Sequence, residues 1–196
     1  ILNLYDKLPF GCKPRDDEYS VLAGIVAKVH GGDPTVIALA TGTKCIGRDF
    51  NNTNGCLLSD SHAEVIVRRA FICYLYNQIH RVLNSIEKCT NLDNCCISIN
   101  EHTSCNNKQP IFTISEGWEF SLYVSDSPCG DAAMYEATLA GGAKIVTGAK
   151  ICSENCEAPG CLRTKSGRSD ISLETRTTSM SCSDKISRWS CLGLQG

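Results

Sequence analysis

The sequence predicts an α/β fold, a sheet with helices packed on it. Three observations point there. Two apolar, β-branched runs, 21–29 and 35–41, flank a short turn. A long stripe of helical periodicity follows from residue 59. A third alternating run, 119–125, then leads into a second helix start. Strands and helices each have one apolar face, and alternating them along a chain makes a layered sheet.

Each element has its own signal. "ILNLYDKLPF" lacks the basic start and long apolar stretch of a signal peptide. It reads as the end of a helix that begins outside this chain. "VLAGIVAKV" and "TVIALAT" are strands, and "HGGDP" between them is turn chemistry, so the pair is antiparallel. Ser59-Asp60 offers an N-cap to "SHAEVIVRRAFICYLYNQI". In that segment Ala63, Ile66, Val67, Ala70, Phe71 and Tyr74 form one apolar face, and Arg68 and Arg69 lie off it. From 87 to 116 the composition turns to Asn, Ser, Thr and Cys, which reads as a loop insertion. "EFSLYVS" is a strand. Pro128 suits the first turn of a helix that ends at Gly141-Gly142, and "AKIVTGA" is a further strand. Residues 152–179 are polar and rich in Gly and Ser, so they read as loop. "SCSDKISRWSCL" is a short helix capped by a serine.

Composition narrows the function classes. The chain has 196 residues, 42% hydrophobic and 20% charged, enough for one domain with a real core. No apolar run approaches the ~18 residues that cross a bilayer. A net charge of −2 gives no global pull toward nucleic acid. Neither a membrane nor DNA is an expected partner. RNA would need a local basic patch, from Arg68-Arg69 or from Arg163, Lys165, Arg168, Arg176, Lys185 and Arg188. Fourteen cysteines without a secretory signal read as mostly reduced thiols of an intracellular protein, nuclear or cytoplasmic, with a few as metal ligands.

The chemistry-bearing residues begin with His62 and Glu64. In mid-helix, two positions apart, they would point to nearly opposite sides; at the entry to a helix both can address one site. Alone, this pair is more often an ordinary surface His and Glu. Cys129, behind Pro128 at a second helix start, sits where the helix dipole and free N–H groups favour a thiolate. Its bland alternative is a buried structural cysteine. Zinc deaminases pair an H-x-E with a P-C-x-x-C, but here Asp131 and Ala132 follow Gly130, and the second cysteine is missing. A catalytic zinc needs three protein ligands and a water. Cys152, Cys156 and Cys161 have the spacing of a separate structural cluster, with no fourth ligand nearby. Cys182 follows Ser181 at the start of the last helix, the same placement as Cys129, and is the choice for third ligand.

The segments "GTKC", "SDSHAEVIVRR", "SPCGDA", "LRTKSG", "MSCSDKISRW" and "LGLQG" resemble, in order, the adenosine deaminases that act on RNA and their tRNA-specific relatives. The resemblance spans about residues 42–196. It implies a cytidine-deaminase-like three-layer sheet with helices on both faces, here an incomplete deaminase domain over 1–196, since the family's domain continues past "LGLQG". It implies that His62, Cys129 and Cys182 hold zinc and that Glu64 shuttles a proton from water to N1 of adenine. It also implies a buried inositol hexakisphosphate contacted by Arg68, Arg69, Lys185, Arg188, Trp189 and Gln195. Asp60, Lys165 and Lys185 match a polar relay between that group and the zinc. Thr43 and Lys44 match positions near the sugar and phosphate of the target nucleotide.

Within the family, "LRTKSGRSD" and "TTSMSCSDK" look most like the tRNA-specific branch, and Ala133 stands where messenger-RNA editors tend to carry arginine. The implied reaction is adenosine to inosine at adenosine 37 of tRNA-Ala, 3′ of the anticodon, with the tRNA anticodon loop as partner. Two rival readings are an inactive truncated fragment that binds RNA or a protein partner, and a cysteine-rich structural zinc protein.

Overall fold

A computed structural model describes residues 1–9, 11, 13–15, 17–48, 54–88, 94–100, 111–133, 149–151, 162–165, 172 and 174–194. A short helix α1 (Leu2–Asp6) precedes β1 (Leu22–Val29) and β2 (Thr35–Thr41), which pair antiparallel as the sequence predicts. Their connection turns at His30 and Gly31, both at positive φ, the conformation that matches a hairpin to the strands' twist. On the other edge of β1 lies β7 (Trp118–Val124), also antiparallel, giving the order β2-β1-β7.

Helix α2 (Ala63–Lys88) lies on this sheet. The core forms where Ala63, Val67 and Phe71 meet Ala23, Ile25, Ala38 and Ala40. Four of these seven are alanines, so the helix backbone comes close to the strands, and the larger Ile25, Val67 and Phe71 fill what remains. Burying one such large side chain is worth about 1.5–3 kcal/mol. The apolar face read from the sequence is the face that packs, because Ile66, Ala70 and Tyr74 flank the same cluster.

The start of α2 differs from expectation. Ser59 and Asp60 are not its cap: Asp60–His62 is a short strand, β4, paired antiparallel with β3 (Thr43–Cys45). Asp60 still holds the entry, since its Oδ1 accepts the His62 N–H at 3.0 Å. Gly42 makes the pairing possible. Its φ is +151° and a Cβ there would meet Ser61 O at 2.1 Å, so only glycine admits the close approach.

Residues 87–116 are not all loop. Their described parts include the end of α2 and two antiparallel strands, β5 (Ile97–Asn100) and β6 (Ile111–Ile114). Cys96 and Ile97 are buried against Val82 in a second apolar cluster. The polar 152–179 stretch likewise contains a strand, β9 (Arg163–Lys165), paired with β8 (Ala149–Ile151). The helix expected from Pro128 begins only at residue 131, after Gly130 at φ 109°. Its course beyond 133, with Gly141-Gly142, lies outside the described residues. The last helix, α3 (Cys182–Leu192), is capped as expected: Ser181 Oγ accepts the Asp184 N–H at 3.2 Å. Among the described residues no helix is long and apolar enough to cross a membrane.

Candidate metal centre

Three chain segments converge on one point. His62 arrives at the end of β4, fixed by the β3 ladder, where it faces Thr43. Cys129 arrives on the turn after β7. Cys182 opens α3 and is fully buried. The last two are locked by backbone: Cys182 N–H donates to Cys129 Sγ at 3.3 Å, and Ser183 N–H to Cys129 O at 3.0 Å. Ser183 Oγ adds a clamp, donating to Pro128 O at 3.0 Å and accepting from Ala132 N at 3.1 Å. His62 Nδ1 lies 3.6 Å from Cys182 Sγ. One ligand atom from each of His62, Cys129 and Cys182 lies within 4.8 Å of the others, a spacing that fits one metal ion.

The site's electrostatics suit a cation. The Cys182 thiol hydrogen-bonds Cys129 and, against the opposing effect of burial, holds Cys129 well below the usual thiol range, with His62 assisting. The same bond, with burial and the nearby Glu64 charge, pushes Cys182 up. Burial lowers His62, but hydrogen bonding to Cys129 and Cys45 outweighs it and holds the imidazole at about 9. The three groups thus share protons that a divalent ion would replace.

Glu64 stands in the first turn of α2. It is 2% exposed, and its Oε2 has no hydrogen-bond partner among the described residues. A buried carboxylate oxygen without a partner costs free energy, and native proteins tolerate it chiefly where function uses the group.

Beneath the cysteines lies a polar network. Asp60 accepts from Lys165 Nζ at 2.7 and 2.8 Å, from Ser179 Oγ at 2.8 Å and from Lys185 Nζ. Burial pushes the Asp60 carboxyl up, but the two lysines overcome it and hold it far below the usual carboxylate range. Lys165 is 2% exposed; burial lowers it, yet Cys182 and Asp60 win and raise it. Arg163, 1% exposed, pairs with Asp131 through Nε, and its N–H donates to Asp184 Oδ2 at 2.9 Å. Residues 179–181 run beside β9, with Lys165 N–H donating to Ser179 O and Ser181 N–H to Arg163 O, each at 2.8 Å. This strip delivers Cys182 to the centre.

Of the other residues singled out by sequence, Arg68 Nε donates to Leu194 O at 2.7 Å, and its guanidinium lies 5.2 Å from the Trp189 ring centroid. Burial and the nearby Arg188 charge both lower Arg68. Among the described residues no carboxylate pairs with Arg68 or Arg188. Lys185 belongs to the Asp60 network, and Arg69 is exposed. Lys44 is exposed on β3, opposite Ser61. Gln195 and the Cys152, Cys156 and Cys161 set lie outside the described residues. Sequence reasoning passed over Cys45, Ser179 and Ser183, and had Arg163 only as part of a basic patch for RNA, where the structure buries it against Asp131. The available signal was their position inside "GTKC", "TTSMSCSDK" and "LRTK", next to residues already chosen.

Comparison with known proteins agrees with this geometry. Residues 38–196 match the family model of the adenosine-deaminase (editase) domain. The chain is 34% identical to tRNA-specific adenosine deaminase 1 of Drosophila melanogaster, over 100% of this chain and 48% of that protein. It is 29% identical to tRNA-specific adenosine deaminase 1 of Saccharomyces cerevisiae, over 95% of this chain and 49% of that protein. It is 32% identical to the double-stranded RNA-specific editase Adar of Drosophila melanogaster, over 90% of this chain and 26% of that protein. The chain therefore spans about half the length of the tRNA-specific relatives.

Proposed function

The chain belongs to the adenosine-deaminase (editase) domain family, and on that premise we propose that it hydrolyses adenosine to inosine in RNA, with a tRNA as substrate. The observation that carries this reading is Glu64, a buried carboxylate with an unpartnered oxygen. It stands beside a His/Cys/Cys set whose ligand atoms lie within 4.8 Å of one another.

Zinc is the metal this donor set fits, because two thiolates and an imidazole are donors it favours, and His62, Cys129 and Cys182 would hold it. When bound, it supplies an acidified water near neutral pH. Glu64 then has two tasks. It takes one proton of the attacking water and delivers it to N1 of adenine as oxygen bonds to C6. It carries the second to the departing amino group, so that ammonia leaves and the ring keeps a carbonyl.

The same reading places inositol hexakisphosphate against Arg68, Arg188 and Trp189. Arg68 and the exposed Arg188 are neighbouring cations with no carboxylate paired to them among the described residues, and a polyanion would relieve their repulsion. Asp60, Lys165 and Lys185, which the family resemblance makes a relay between that group and the zinc, are joined by ion pairs.

The tRNA assignment is supported by the two tRNA-specific relatives and by Ala133, which stands where, by the family resemblance, messenger-RNA editors tend to carry arginine. An anticodon loop presents its bases unpaired, so extruding one costs little. The test is inosine formation by the protein as its gene encodes it, on a tRNA-Ala transcript and on a long RNA duplex of mixed sequence. Inosine at adenosine 37 of the tRNA with little on the duplex is expected. Editing of the duplex alone would overturn the substrate assignment.

A further inference from the structure

The segment before β1 is the part of the centre's surroundings that the chemistry above leaves unused. It carries Tyr19, 68% exposed, a large aromatic side chain on the surface. Its hydroxyl donates to the Asp126 carboxylate, which belongs to the turn that delivers Cys129. Two more bonds weld the same two segments: Leu22 N–H donates to Ser125 Oγ at 2.9 Å, and Ser125 N–H to Leu22 O at 2.8 Å. Asp126 is itself braced, since Oδ1 accepts the Ser127 N–H at 2.7 Å. Tyr19 is therefore held at its tip while most of its side chain stays in water. Asp126 stands three residues before Cys129, so this bond sets Tyr19 beside the segment that carries one of the centre's residues. Among the described residues no other aromatic ring and no cation covers it.

We infer that Tyr19 is a stacking platform at the rim of the catalytic centre, which holds a base adjoining the reactive adenosine. The inference rests on the deaminase reading above. The chemistry is general: an exposed ring, fixed by one hydrogen bond at its edge, offers a face on which any base stacks without sequence demand. Fixing the ring before binding lowers the ordering cost of the complex. A splayed-out adenosine needs such help, because its neighbours lose their stacking partner when it leaves the loop. Tyr19 acts by positioning substrate and is not one of the groups that react.

The test uses the protein as its gene encodes it, with Tyr19→Phe and Tyr19→Ala, on a tRNA-Ala anticodon stem-loop. Matched stem-loops carry an abasic residue on either side of the reactive adenosine. Tyr19→Ala is expected to raise KM about tenfold with kcat little changed, while Tyr19→Phe, which keeps the ring, stays within about threefold of wild type. With the abasic neighbour on the stacked side, the wild type loses the same factor and Tyr19→Ala loses almost nothing more. Equal KM for wild type and Tyr19→Ala overturns the inference, as does an abasic penalty that is undiminished in Tyr19→Ala on both sides. Equal impairment of Tyr19→Phe and Tyr19→Ala also overturns it, because a purely structural bond to Asp126 behaves that way. If the wild type forms inosine and only the Tyr19 effects are missing, this inference fails alone. If the wild type forms none on any RNA, the deaminase reading fails with it.

Discussion

Cys182 donates its backbone N–H to the Cys129 sulfur at 3.3 Å, across 53 residues of sequence. That one bond joins two structural starts, the turn after β7 and the first residue of α3. It sets both thiols toward His62 before any metal arrives. In the proposed zinc site Cys182 takes the place of the second cysteine missing after "SPCGDA".

The first prediction concerns metal content. Cys182→Ala removes one of three ligands and should lower bound zinc from about one per chain to a small fraction after dialysis. Cys191→Ala, on the exposed side of the same helix, should leave zinc unchanged. Atomic absorption on both variants reads this directly.

Gly130 sits at φ 109° between Cys129 and the helical residues that follow. A Cβ there would lie 2.4 Å from Ser181 Oγ and 2.8 Å from Ser181 Cβ. Gly130→Ala therefore strains the backbone and pushes the Cys129 turn off the α3 N-terminus. A loss of about 1–3 kcal/mol in urea unfolding, with weaker zinc retention, is the expected outcome.

Asp60 is the only acid that the structure places against both Lys165 and Lys185 among the described residues. Asp60→Asn keeps the shape but removes the carboxylate from buried Lys165, leaving only the nearby cysteines to offset its charge. Breaking a buried pair by removing one partner costs about 3–5 kcal/mol. The amide retains some hydrogen bonding, so the lower end is expected in chemical denaturation. Lys165→Met with Asp60→Asn together should be less damaging than Asp60→Asn alone.

Tyr19 gives a pH dependence with a definite sign. Its phenol is raised to about 12 by burial and by the Asp126 carboxylate. Between the ordinary value near 10 and about 12, the folded state holds more protons than the unfolded one. The contribution to stability is thus complete below pH 10 and is lost as pH rises toward 12. Unfolding followed from pH 8 to 12 should show this alkaline loss, and Tyr19→Phe should remove it. Absorbance titration of tyrosinate should lose its component near 12 in the same variant.

The strands β1, β2 and β7, the helix α2 and the Ser181-capped α3 were legible because apolar period and capping chemistry act locally. That Cys182 lies with Cys129 was legible for the same reason, since a helix start is a local signal that two cysteines share. Arg163 and Lys165 show where that logic ends. Their strand lies in a polar run, and what buries it is ion pairing with Asp131 and Asp60, partners with no periodic trace in sequence. Asp60 was read as a helix cap because an Asp before an apolar stripe usually is one. Here β3 pairing claims it, and its carboxylate collects Lys165, Lys185 and Ser179 instead. Tyr19 and Asp126 stand 107 positions apart, and only the fold brings them together.

The most direct test of the account is inosine formed on tRNA by the zinc-loaded protein, compared with its Glu64→Gln variant. The amide keeps the shape of the side chain and cannot carry the proton. The account predicts one zinc per chain in both proteins and a rate about 10²–10⁴-fold lower in Glu64→Gln. Glu64→Gln that binds zinc and forms inosine at the wild-type rate would contradict it.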